Sequence, residues 1–159
     1  MKIKIDLENI GKGNLQVKLE SEKQNLVFIA SYIPYASLAE LIDSLIAVLT
    51  QKKIDTTARW NTEPVEYEFQ FSGLASDLSF AVKEHPDFRR KIDIENLVFA
   101  VTGFSLEIAL PFWRSLREFQ SHPSNSSEWK YSFPSRRMSR LNELIKSYSA
   151  GLKQFERHA

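Results

Sequence analysis

Val65-Glu66-Tyr67-Glu68-Phe69-Gln70-Phe71 alternates bulk with polarity at every step, and Leu78-Ser79-Phe80-Ala81-Val82-Lys83 repeats the pattern a few residues later. A period of two is the signature of a strand with one face on a core, so this pair predicts an antiparallel hairpin with Ser72 to Asp77 as its loop. Tyr67, Phe69, Phe71, Phe80 and Val82 are expected inward, and Glu66, Glu68 and Gln70 outward. The strand should end at His85-Pro86-Asp87, with a further strand over Phe88 to Ile94.

Toward the N-terminus, Asn61-Thr62-Glu63-Pro64 separates the hairpin from an expected strand over Ile54 to Trp60, because proline donates no ladder hydrogen bond. Ser37-Leu38-Ala39-Glu40 has the spacing of a capping box. Leu38, Leu41, Ile42, Leu45, Ile46 and Leu49 follow at helical intervals, so a helix is expected over about residues 37 to 52. Earlier still, Ile3, Ile5 and Leu7 alternate with charges, Gly11-Lys12-Gly13-Asn14 offers a turn, and Leu15, Val17 and Leu19 alternate again. Leu26 to Ala30 is apolar at both parities, which predicts a central strand covered on both faces.

Toward the C-terminus, Leu97, Val101, Phe104, Ile108, Phe112, Leu116 and Phe119 predict one long helix from about Asn96 to Gln120, kinked near Pro111. Gly103, Glu107, Arg114 and Glu118 form its narrow polar stripe. A last helix, about Ser135 to Glu156, carries Met138, Leu141, Ile145, Tyr148, Leu152 and Phe155 as a seam that needs a helical neighbour. The preceding helix, reached through the polar loop His122 to Glu128, is the simplest one. Without a Pro/Gly/Ser linker or a repeat, residues 1–159 read as a single α+β domain, with an antiparallel sheet of about six to seven strands covered by one short and two long helices.

Composition narrows the function. The 159 residues are 43% hydrophobic with net charge +1, unlike a disordered chain. With no cysteine there is no disulfide, thiolate nucleophile or cysteine-held metal, which fits a reducing compartment, and the cytoplasm is expected. Met1 to Leu7 reads as a strand and not as an export signal. The longest apolar run, Leu97 to Trp113, is broken by Thr102, Gly103, Glu107 and Pro111, so no membrane span is expected. A pI near 7.9 without a basic stripe argues against nucleic acid.

Chemistry is sparse. His85, His122 and His158 are far apart in sequence and read as solvated imidazoles; no metal-binding, phosphate-binding or nucleophile-elbow motif is present, and no catalytic residue or cofactor is assigned. Glu66 and Glu68 lie about 7 Å apart on one strand face, a spacing that suits a pair of catalytic carboxylates, but alternating acids are what a solvent-facing strand shows. Glu107 reads as exposed. Charge is uneven: residues 1 to 112 carry net −4 and residues 113 to 159 net +5. Arg136, Arg137 and Arg140 crowd the first turns of the last helix, where the macrodipole disfavours cations, and so point to an acidic partner within the chain or to an external anion.

Trp60-Asn61-Thr62-Glu63-Pro64, Phe99-Ala100, Trp129-Lys130-Tyr131-Ser132-Phe133-Pro134 and Arg140-Leu141-Asn142-Glu143-Leu144 together resemble a loose group of uncharacterised bacterial proteins. The group shares W-x-x-E-P and W-x-x-x-F-P segments, and the resemblance spans about residues 54 to 145. It carries over no catalytic residue.

The expectation is a non-enzymatic cytoplasmic protein-binding module of the kind that guards its own cell against a toxin. Its contact set would be Trp60, Glu63, Glu66, Glu68 and Trp129 with Arg136, Arg137 and Arg140. The alternative is a small-ligand carrier or enzyme with a pocket between sheet and helices, lined by Phe69, Phe80 and Phe104. Self-association through the C-terminal seam is a third reading.

Overall fold

The central hairpin forms where the alternation placed it. In the computed structural model, which describes residues 3–87, 95–122 and 133–158, β5 (Glu66–Leu74) pairs with β6 (Asp77–His85), Phe69 opposite Val82 and Phe71 opposite Phe80. The loop is tighter than expected, since pairing continues to Leu74 and Asp77. Gly73 permits this: at its φ of +120° a side chain would be strained and would also run into the Asp77 carbonyl.

The other strands are β1 (Lys4–Gly11), β2 (Asn14–Glu20), β3 (Asn25–Ser31), β4 (Lys53–Asn61) and β7 (Asn96–Gly103). All seven follow one another in sequence order in a single antiparallel sheet. Among the described residues three helices complete an α+β fold: α1 (Ser37–Thr50), α2 (Ser105–Ser121) and α3 (Ser135–His158). The strand expected over Phe88 to Ile94 and most of the loop after His122 lie outside the described residues.

Asn96–Gly103, expected as the start of the long helix, is strand β7. Val98, Val101 and Thr102 are β-branched and Phe99 is aromatic, and these types suit a pleated surface. Phe99 pairs with Val82 and Val101 with Phe80, bringing the Phe99 ring to 6.0 Å from Phe80. Leu97 and Phe104, counted as inward in the helical pattern, are largely exposed. Helix α2 begins only at Ser105, where the Glu107 carboxylate accepts the Phe104 amide at 3.1 Å, and it continues unbroken through Pro111 to Ser121.

Strand β3 is the larger departure. It meets β4 at one bridge, Ser31 with Asn61, whereas its other end approaches β7. There the Gln24 side chain behaves like a strand residue: its amide donates to the Ala100 carbonyl at 3.1 Å, and its oxygen accepts the Ala100 N–H at 2.8 Å. Three strand spacings separate β4 from β7, about 14 Å, and seven extended residues span about 20 Å, so β3 reaches across those strands instead of lying beside β4. Phe28 stacks on Tyr67 at 4.4 Å and meets Trp60 and Phe69 at 6.0 and 6.1 Å. Cover on both faces, expected for Leu26 to Ala30, does not hold: Phe28 and Ala30 are buried, but Val27 and Ile29 face outward.

The crossing leaves one edge of β4 without a strand, and α1 takes that place. Ser37 Oγ donates to the Arg59 carbonyl at 2.6 Å, and Ser44 Oγ, two helical turns on, donates to the Thr57 carbonyl at 3.2 Å and meets Thr56 Oγ1 at 3.0 Å. The capping box therefore does not form: the N-cap is Ala36, with no side-chain cap bond, and Glu40 pairs with Arg59. Helix α3 packs chiefly on α1, not on α2 alone as expected; Arg137 meets Asp43 at 3.0 Å and Asn142 accepts the Trp113 indole N–H at 2.7 Å. Met138, Leu141 and Ile145 of its seam are buried inside the chain.

If Ser44 holds the β4 edge, Ser44→Ala destabilises the fold by about 1–2 kcal/mol although alanine is the better helix former. Urea denaturation measures this; an unchanged or raised midpoint would show the bonds to be immaterial.

Candidate functional site

On β4, β5 and β6 the residues of opposite parity to the aromatic core fall into polar rows fixed by register. Asn61, Glu66 and His85 stand in one row, and Arg59, Glu68 and Lys83 in the next. The loop between β3 and α1 folds over them. Tyr35 donates its hydroxyl to Glu66 Oε2 at 2.7 Å, and its ring lies 4.1 Å from the Arg59 guanidinium. Arg59 in turn donates to Glu40 at 2.8 Å, and this bond raises its already high pKa. Asn61 fixes both flanking loops by donating to the Ile33 carbonyl and accepting the Glu63 amide at 3.1 Å.

Glu66 and His85 were expected in solvent, and both are buried. Glu68 is nearly so. The cause is the strand crossing, which brings the Tyr35 loop down over the end of β5. Burying a carboxylate is costly unless hydrogen bonds replace its water, and Tyr35 supplies one.

His85 Nε2 stands 3.7 Å from Glu68 Oε2, too far for a hydrogen bond. Among the described residues no group of three or more His, Cys, Asp or Glu is placed to hold a metal. The rows fasten the loop to the sheet.

Trp60 is fully buried and so is a core plug, not a surface anchor. Glu63 is exposed in the loop before β5, and Trp129 lies outside the described residues. Arg136, Arg137 and Arg140 are all exposed, and Arg137 finds its acid on α1, not on the strand face. Glu63 and Arg137 find different partners, Asn61 and Asp43. Glu107 is exposed, as expected, and so is His122.

Phe69 and Phe80 do not part to wall a pocket among the described residues: their rings pack edge to face at 5.3 Å and both meet Phe112. Phe104 instead lines a cavity of about 340 Å³ with Leu106, Leu110 and Tyr148 at the start of α2. Sequence reading missed Tyr35, whose neighbours carry no periodic signal. It also missed the exposure of Val27 and Ile29, whose apolar run looked buried.

On the core side of β5, Tyr67 donates to Glu84 at 3.0 Å, and burial, reinforced by this bond, pushes its pKa up to about 12. The folded state thus holds this proton more tightly than the unfolded chain, whose tyrosine ionises near pH 10. The group's contribution is constant below about pH 10 and is lost as pH rises toward 12. An absorbance titration should show a phenol resisting ionisation until about pH 12, absent in Tyr67→Phe and ionising earlier in Glu84→Gln; an ordinary titration of the wild type would refute the assignment.

Comparison with protein-family models, with curated proteins and with solved structures gives no match. No helix among the described residues is long and apolar enough to cross a membrane.

Proposed function

We propose that the chain is a non-enzymatic protein-binding module of the cytoplasm, of the kind by which a bacterial cell guards itself against a toxin. The observation that carries this reading is the outer row of β3 and the loop after it, where Val27, Ile29 and Ile33 are 55%, 50% and 46% exposed. Branched aliphatic residues standing together in water favour a partner that covers them.

Polar neighbours frame the row. By register Lys18 and beyond it Asp6 continue the row from Val27, and Gln16 and beyond it Glu8 the row from Ile29. Glu63 lies near Ile33, held there by Asn61. An apolar centre within a charged rim is the anatomy of a protein interface. The Glu66 carboxylate is buried and accepts the Tyr35 hydroxyl at 2.7 Å, a bond that serves the fold.

Val27→Lys/Ile29→Lys tests it. Both residues face outward, so the variant should unfold at about the same urea concentration as the wild type, since surface substitutions are usually within about 0.5 kcal/mol. In affinity capture from the native host, the wild type should retain a protein in near-stoichiometric amount and the variant should lose it. Retention by both would remove this row as the contact, and turnover of a small molecule by the purified protein would overturn the non-enzymatic reading.

A further inference from the structure

Helix α2 starts against the turn between β5 and β6. The Ser105 N–H donates to the Ala75 carbonyl at 2.9 Å, and the Phe104 N–H donates to the Glu107 carboxylate at 3.1 Å. Beside this junction lies the hollow of about 340 Å³ walled by Phe104, Leu106, Leu110 and Tyr148. Its wall is nearly all apolar, and Phe104 is 60% exposed.

One polar group interrupts that lining. Ser105 borders the hollow and is 2% exposed, yet its hydroxyl makes no hydrogen bond among the described residues. A buried hydroxyl without a partner is costly and uncommon, so each one calls for a reason. Helix capping does not supply it, because Ile108 donates to the Phe104 carbonyl at 3.1 Å. A serine hydroxyl turns about a single bond and both donates and accepts, so a polar atom seated in the hollow can complete it.

The surroundings select that atom. Glu107 also borders the hollow, and its carboxylate repels an anion. The Phe104 and Ser105 N–H groups, which would otherwise attract one to the start of α2, are already taken. A charged head would also have to leave water beside apolar walls, a cost that a neutral hydroxyl or carbonyl avoids. The body must be apolar and compact. A cavity of about 150 Å³ takes one benzene ring, so this hollow has room for about two fused rings beside Phe104 and Tyr148.

We propose that the hollow at the start of α2 binds a neutral aromatic molecule of about two fused rings bearing a hydroxyl or carbonyl group that pairs with the Ser105 hydroxyl. The site is separate from the Val27–Ile29 row, so a protein partner on that row neither requires nor excludes it.

Naphthol, naphthalene and naphthoate are the probes, titrated into the full chain with amide chemical shifts as the readout. Naphthol should bind saturably, at least about tenfold more tightly than either of the others, and should shift the Ser105, Leu106 and Tyr148 amides. Ser105→Ala removes the orphaned hydroxyl, should fold at least as well as the wild type, and should bind naphthol no more tightly than naphthalene. Phe104→Ala, at an exposed position, should weaken naphthol and naphthalene alike, whereas Val27→Lys/Ile29→Lys should change neither. The proposal would be overturned by no saturable binding of naphthol, by equal affinity for naphthol and naphthalene in the wild type, or by tighter binding of naphthoate. A preference for naphthol that survives Ser105→Ala, or amide shifts confined to the Val27–Ile29 face, would overturn it too.

Discussion

The rest of the structure depends on how β3 is held at its two ends. At one it bridges Asn61 through Ser31; at the other the hairpin it begins is clasped to Ala100 by both atoms of the Gln24 amide. A strand fixed this way must cross the sheet, and Phe28 is thereby set onto Tyr67, Trp60 and Phe69. The crossing closes one side of the aromatic core. Phe112 of α2, against Phe69, Phe71 and Phe80, closes the other.

A sheet joined between β3 and β4 by one bridge leaves more edge without a ladder than a fully paired one, and unpaired edges invite pairing with other chains. The described residues treat them unequally. Ser37 and Ser44 of α1 occupy carbonyls along β4, and Gln24 occupies β7 at Ala100. Along β1 helix α2 packs against the strand. The surface assigned to a partner, the outer row of β3, is thus a consequence of this topology, being the far side of the crossing strand.

Much of this was legible in sequence. The period of two in Phe69, Phe71, Phe80 and Val82, and the helical spacing of Leu38, Leu41, Ile42 and Leu45, each reflect a face against a core that local pattern reports directly. Glu66 was misread because burial there is reinforced from outside the strand, by Tyr35 on a loop some thirty residues earlier in the chain. Ser37 was misread for a related reason, since a serine at a helix start fits a cap equally well until the bare β4 carbonyl beside it is known. Val98 to Thr102 shows the opposite case, in which β-branched residues gave the right signal but Leu97, Val101 and Phe104 happened also to fit a helical count. As for a binding surface, exposed Val27 and Ile29 are indistinguishable in sequence from the interior of a covered strand. Only the crossing of β3 turns them outward.

Native-state amide exchange at Ala100 tests that crossing most directly, because its N–H points away from β6 and is held only by Gln24. If β3 is clasped as described, the Ala100 amide exchanges as slowly as the ladder amides shared by β6 and β7, through opening of the whole fold. Exchange at the rate of a free edge amide, with Phe99 and Val101 still protected, would contradict the clasp and with it the placement of the whole β1–β3 meander.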